Sequence, residues 1–361
     1  MPETYAVIMA GGVGARFWPR SREKSPKQLL EIAGKGTMIQ HSVKRLEGFI
    51  SPEKMFVVTN KHQRSLVIKQ LPDIPEENIL VEPVGRNTAP CIGLAALHVR
   101  KRDPSAVMVV LPADHMIQNS GEFVRVLSLA ADVASRSKGL LTIGIKATHP
   151  ETGYGYIQYS QKTSENPYAS EGIFRVKTFA EKPNLQTAER FLASGDFVWN
   201  SGMFVWSAEA ILLEMERCLP DLHRELGKID QSIESSSYQS TLETVYGMIR
   251  GISIDYGVME KAEDVYVIPA EFGWNDIGSW DEVYRISGKD DNGNSVTGRV
   301  IQTDTTNSLI YTEDRLIATV GVEGLIVIDT GDAILVCKRG KSQDVKEISD
   351  FLRRKKMTEY L

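Results

Sequence analysis

Cysteine is scarce in this chain: Cys91, Cys218 and Cys337 are the only three in 361 residues, far apart and with no CxxC pair. That spacing offers neither a disulfide framework nor a thiolate zinc site, and a reducing, cytoplasmic setting suits it. Long apolar runs are missing too. The first covers only residues 6–10, and no window approaches the ~20 apolar residues of a spanning helix, so neither a signal-peptide core nor a membrane span is expected. A basic excess is also absent. Lys and Arg number 42 against 47 Asp and Glu, a formal net charge of -5, which argues against a duplex nucleic-acid partner but leaves a nucleotide open.

What the chain does have is a short apolar run, Ala6 to Ala10, that breaks into Gly11, Gly12 and Gly14. A run without polar alternation suits a strand buried on both faces of a parallel sheet. Glycines directly after it let the backbone turn sharply and bring its N–H groups to an anion. The spacing is not that of the dinucleotide fingerprint, because Phe17 stands where a third glycine would follow, and no Lys-Ser or Lys-Thr closes a Walker loop. Instead Arg16, Arg20, Arg22 and Lys27 follow, with Pro19 and Pro26 between them. The stretch predicts a loop over a polyphosphate with cations reaching down onto it; the alternative is an ordinary strand-to-helix turn with a basic surface.

Strands and helices then alternate. Strands are expected at 55–59, 79–81, 107–111, 140–146, 173–179 and 265–269. Helices are expected after Thr37 as N-cap, after Lys61, over 90–100, after the N-cap Asn184 as far as Gly195, after a capping box at Ser240 to Glu243, and over 256–262. A polar connection covers 160–170. This order predicts an α/β sheet covered by helices on both faces, with ligands beyond the carboxyl ends of its strands. Residues 287–294 lack apolar side chains and mark a boundary between 1–286 and 295–361. Beyond it, short β-rich runs lead to a helix opening at Ser342, which suits either a dimer contact or a cap on the larger unit.

Several polar residues interrupt apolar stretches. Asp114 and Asp276 could share one Mg²⁺ at strand ends, or serve as a cap and an Asx-turn. Glu181 and Lys182 could meet a sugar hydroxyl and a phosphate, or form a surface ion pair. Asn200 offers a donor and an acceptor to a hydroxyl-rich ligand, or is a turn residue. Glu82 and Asn87 carry acceptors suited to the amino and imino edge of guanine, and Thr88 is well placed to cap the following helix. His115, beside a turn, reads as a structural residue.

Taken in order, GGVGARFWPRSREKSPKQ, EPVGRNTAPCIGLAA, LPADH, FAEKP, FVWNSGMFVW, SIDYGVMEK and GWNDIGSW resemble the mannose-1-phosphate guanylyltransferases, a family of sugar nucleotidyltransferases. The resemblance covers most of residues 5–285. It implies a Rossmann-like (GT-A-like) domain with a mostly parallel mixed sheet and a small β-helix-like segment ending in a helix. Long bifunctional relatives append an isomerase domain, for which this sequence is expected to be too short. The implied reaction joins GTP and mannose 1-phosphate into GDP-mannose and pyrophosphate with Mg²⁺. By the same resemblance Gly11, Gly12 and Gly14 approach the nucleotide and Arg16 and Lys27 hold the triphosphate. Glu82, Asn87 and Thr88 surround guanine, Glu181, Lys182 and Asn200 address the sugar phosphate, Asp255 takes a sugar hydroxyl, and Asp114 with Asp276 hold the metal. Two alternatives stay open: the same scaffold acting on another nucleotide or sugar phosphate, and a regulatory subunit that binds sugar nucleotides without turnover.

Overall fold

The structure is a computed structural model that describes residues 2–32, 34–161 and 166–361. The first apolar run forms β1 (Thr4–Met9), whose Ala6, Val7 and Ile8 are fully enclosed, as its unbroken hydrophobicity requires. β2 (Met55–Asn60), β3 (Ile79–Glu82) and β4 (Val107–Pro112) join it in the parallel order β3-β2-β1-β4. The crossovers carry α1 (Met38–Lys44), α2 (Arg64–Gln70) and α3 (Thr88–Arg102). α1 opens on a capping box between Thr37 and Gln40. Four carboxyl ends of parallel strands therefore face one rim, where ligands of such sheets bind.

Past β4, a short β5 (Met116–Ile117), α4 (Ser120–Arg136), β6 (Leu140–Lys146), β7 (Tyr156–Ser160), β8 (Phe174–Ala180) and α5 (Leu185–Ser194) lead to β9 (Phe197–Ser207). β9 runs antiparallel between β4 and β6, so the second half of the nine-stranded sheet is mixed. Asn200, Ser201 and Gly202 do not break this strand. Residues 162–165 of the polar connection lie outside the described residues.

α6 (Ala208–Cys218), α7 (Pro220–Ser232) and α8 (Tyr238–Met248) pack with α3 on one face, and the chain returns as β10 (Val265–Ala270), parallel to β6. The capping box expected at Ser240 is absent: α8 begins two residues earlier, and the Ser240 hydroxyl donates to the Ser237 carbonyl inside the helix. The helix expected over 256–262 is one π-type turn, Asp255–Met259.

β11 (Trp274–Asn275) pairs with β5, and α9 (Trp280–Ile286) leads into the C-terminal strands. There β12 (Ser295–Thr297), β14 (Leu309–Thr312), β16 (Leu325–Asp329) and β17 (Ile334–Lys338) form one sheet, and β13 (Val300–Thr303) and β15 (Ile317–Val320) form another. All pairings except β16/β17 are parallel, the pattern of a β-helix coil. α10 (Val345–Arg354) closes it, opening through a turn at Ser342 as expected. This unit packs back onto the glycine loop. Phe17, Trp18 and Trp280 share one buried cluster with Leu309, Ile326, Ile328, Val345 and Leu352. Full burial contributes roughly 1.5–3 kcal/mol for each such large side chain, so the loop after β1 has a rigid floor.

Candidate functional site

The loop after β1 is pinned from below. Gln28, buried in the turn that follows Pro26, donates its side-chain amide to the carbonyls of Ala10 (3.0 Å) and Gly12 (2.8 Å). Gln63 accepts from the same amide at 3.2 Å, and Thr59 donates to the Ala10 carbonyl at 3.1 Å. Carbonyls are thereby drawn inward. The main-chain N–H groups of Gly11, Gly12, Val13 and Gly14 make no hydrogen bond among the described residues, which leaves four donors for an anion.

Lys27 stands at the end of this loop, 3% exposed. Its ammonium donates to Asp114 Oδ2 (2.9 Å) and to the main-chain oxygen of Asp276 (2.6 Å), leaving its third hydrogen free among the described residues. Asp114 follows β4 and Asp276 follows β11, so the ends of two strands meet at one nitrogen. Burial pushes the Asp114 carboxyl up, but the charge of Lys27 and the hydrogen bond from its ammonium outweigh it and hold the group below its ordinary value. Asp276 moves the other way, raised by burial and by the charges of Asp114 and Glu282 against Lys27 and the Tyr154 hydroxyl, which donates to Asp276 Oδ1 at 2.8 Å. The Asx-turn anticipated for Asp276 belongs to Asn275, whose Oδ1 accepts the Ile277 N–H at 2.6 Å while its amide donates to Glu282. That turn holds the β-branched Ile277 at φ 44°, in the left-handed region, and leaves the Asp276 carboxyl free of the turn.

Arg16, Gly14, Lys27, Asp114 and Asp276 line one hollow of about 460 Å³, and Arg16 has no ionic or hydrogen-bonding side-chain partner among the described residues. Asp276 and His115 are also walls of a neighbouring cavity of about 550 Å³. His115 accepts from the Trp274 indole at 3.1 Å, and burial lowers it to about 4, so it is neutral and structural.

Gly11, Gly12, Glu82, Asn87 and Thr88 form one side of the larger cavity, and Glu181, Asn200 and Asp255 line it as well. Glu82 is 4% exposed with no partner for Oε1 among the described residues, and burial, offset only in part by the Tyr246 hydroxyl, pushes it up to about 7. The cap of α3 is Asn87, at φ 69°, whose Oδ1 accepts the Thr88 N–H at 2.8 Å. Thr88, expected to be that cap, instead accepts the Ile254 N–H at 2.8 Å and ties the helix start to the segment of chain that carries Asp255. Asn200 lies within β9, not in a turn. It donates to Asp255 Oδ1 at 2.7 Å, and its own Oδ1 accepts the Gly202 N–H at 3.0 Å. Burial raises the Asp255 carboxyl, and the Asn200 hydrogen bond opposes that rise.

Lys182 forms the ion pair with Glu181 that its sequence position allowed, at 2.6 Å with the lysine side chain 60% exposed. It borders a third hollow whose walls include Asn87, Thr88, Glu181 and Asp255. Lys27 and Lys182 thus line different hollows, each sharing walls with the central cavity. Sequence reasoning missed Tyr154, Asn275, Gln63 and the pinning role of Gln28; only Gln28, in the PKQ that closes the basic loop, carried a local signal.

Two family models match the chain: Nucleotidyl transferase over residues 5–293, and MannoseP isomerase/GMP-like beta-helix domain over residues 298–352. Mannose-1-phosphate guanylyltransferase 2 of Escherichia coli O157:H7 is 38% identical over 366 residues, covering 99% of this chain and 75% of that protein. Mannose-1-phosphate guanylyltransferase of Klebsiella pneumoniae is 39% identical over 357 residues, covering 98% and 75%. Among solved structures, a Thermus thermophilus protein described as mannose-1-phosphate geranyltransferase superposes with a TM-score of 0.86 at 32% identity, covering 97% of this chain and 99% of that one.

Proposed function

The chain belongs to the nucleotidyl transferase family and within it to the mannose-1-phosphate guanylyltransferases, and we propose that its cavity transfers GMP from GTP to α-D-mannose 1-phosphate. A phosphate oxygen of the sugar phosphate attacks the α-phosphorus in line. The bond from that phosphorus to the oxygen bridging to the β-phosphate breaks, and pyrophosphate leaves as GDP-mannose forms. The nucleophile is already an anion, so no protein base is required. Catalysis consists of holding two repelling anions together and neutralising charge that builds on the α-phosphate and the leaving group.

The glycine N–H groups, Arg16 and the free hydrogen of Lys27 hold the triphosphate. Glu82 accepts from the guanine N1–H and N2 amino group, with Asn87 and Thr88 beside the base. Asn200, oriented by Asp255, and Glu181 take the mannose hydroxyls, and Lys182 takes the sugar phosphate. Asp114 and Asp276 fit Mg²⁺. Among the described residues no cluster of three ligating side chains exists, but Mg²⁺ commonly takes one or two carboxylates and completes its shell with phosphate oxygens and water. Asp276, raised partly by the charge of Asp114, is the carboxyl that gains from a divalent neighbour. When bound, Mg²⁺ would supply positive charge to the phosphate oxygens.

The observation that supports this reading most is the sharing of Asp276 between the hollow of Lys27 and Arg16 and the cavity of Glu82 and Asn200. It lets one molecule span both. The three free thiols fit a reducing cytoplasm, and among the described residues no helix is long and apolar enough to cross a membrane. A catalytic unit at 1–286 and a C-terminal unit at 295–361 is the division we favour, with the exposed Ile301, Leu316, Val320 and Val336 of the latter suited to a homodimer contact. Pyrophosphate release with Mg²⁺ across GTP, ATP, UTP and dTTP, each with mannose or glucose 1-phosphate, tests the function. GTP with mannose 1-phosphate should be fastest. No release from any pair, or a clear preference for another pair, overturns the assignment.

A further inference from the structure

The hollow of Lys27 and Arg16 has a wall that the catalytic motifs do not supply. Lys346, Asp350 and Arg353 of α10 line it, and their spacing places them on one stripe of the helix. The docking is fixed by burial of Val345 and Leu352 and by the Ser349 hydroxyl, which donates to the Ala15 carbonyl at 3.1 Å, within the glycine loop. Arg353 is already engaged, with Glu23 at 3.3 Å and Asp350 at 3.4 Å. Lys346 makes no ion pair and no side-chain hydrogen bond among the described residues. It also stands in the first turn of α10, where a cation opposes the helix dipole, so helix stability does not account for it. Two unpaired cations, Arg16 and Lys346, therefore face one hollow together with the free hydrogen of Lys27.

We propose that Lys346 is a further substrate-binding residue, contributed by the C-terminal unit, that contacts the β- and γ-phosphates of GTP and the pyrophosphate they become. This rests on the function proposed above. It makes the β-helix unit part of the active site and not only its support.

The test uses the full-length protein, run forward with GTP and mannose 1-phosphate and in reverse with GDP-mannose and pyrophosphate. For Lys346→Ala, KM for GTP and for pyrophosphate should rise about tenfold, the loss of one charge-assisted contact. KM for mannose 1-phosphate and for GDP-mannose should stay within twofold (roughly the scatter of a surface change). Lys346→Arg should restore most of the loss, and added salt should shrink the difference. Lys341→Ala, an exposed lysine paired with Asp344, serves as the control and should match wild type. Lys346 is exposed, so a melting curve should show all three variants folded. A Lys346→Ala enzyme with wild-type KM for pyrophosphate overturns the inference, as does an equal rise for all four substrates. A wild-type protein that releases no pyrophosphate overturns the parent function instead, and the two failures are read in separate lanes.

Discussion

A β carbon on Gly14 would stand 2.6 Å from Cβ of Lys27 and 3.2 Å from the Ser21 hydroxyl, and Gly14 itself sits at φ 70°. The lysine reaches the two aspartates because the loop above it has no side chain at that point. Gly14→Ala must therefore strain the backbone, at about 1–2 kcal/mol, and displace Lys27. A displacement near 1 Å in such a site lowers turnover about a hundredfold. Pyrophosphate release should fall by that order while the protein remains folded in a melting experiment; unchanged turnover would show that the contact between loop and lysine has no catalytic meaning.

Lys27→Met keeps most of the stem and removes the charge that Asp114 and Asp276 share. Stability should fall by about 1–2 kcal/mol, less than for a fully buried pair because the Asp114 side chain is 36% exposed. Turnover should fall by about 10²–10³, the scale of losing one preorganised charge at a developing anion. Parallel denaturant and pyrophosphate measurements separate the two effects. Near-native turnover in a folded variant would remove Lys27 from the mechanism.

Much of this arrangement was legible in the chain because apolar runs and special residues signal locally. The unbroken run at 6–10, the Thr37 and Asn184 caps and Gly195 as a helix stop each follow from neighbours a few residues away. Thr88 and Asp276 show where that logic runs out. In both places the backbone hydrogen bond went to the preceding asparagine, Asn87 or Asn275, and the side chain read as a cap was released for a longer-range role. Asn275 and Asp276 are of equal capping strength and no local pattern distinguishes them, while at Asn87 and Thr88 the hydrogen bond went to the stronger cap, the asparagine. The Tyr154 hydroxyl on Asp276 and α10 against Ala15 link positions 122 and 334 residues apart. Only the assembled sheet brings such pairs together.

Tyr154→Phe removes the hydroxyl that donates to Asp276 Oδ1 and leaves the ring against Trp199 and Trp274. Packing is retained, so the fold should be unchanged. Deprived of that donor, the carboxylate is freer to rotate and less stabilised in its charged form. Loss of an outer partner of a metal ligand typically costs about 10–100-fold in metal affinity, so half-saturating Mg²⁺ should rise by at least the lower figure, with turnover recovering at high Mg²⁺. A variant whose Mg²⁺ titration overlays wild type would argue that Asp276 does not bind the metal.

Glu82 gives the site a pH dependence whose sign follows from its burial. The carboxyl is raised from 4.5 to about 7, so in the unliganded protein it favours folding most below pH 4.5, and that contribution is lost as pH rises to about 7. Guanine places the opposite demand on it, because two donors of the base require the ionised acceptor. Below pH 7 the nucleotide must displace a proton, and KM for GTP should rise about tenfold for each pH unit, becoming flat above 7. Glu82→Gln should bind GTP weakly at every pH and lose that slope. Since the γ-phosphate of GTP titrates in both proteins, the difference between them isolates the residue. The unliganded variant should also melt no lower than wild type at pH 8, where the native carboxylate is charged and buried. If both proteins show the same slope, the proton belongs to the substrate and Glu82 does not read the base.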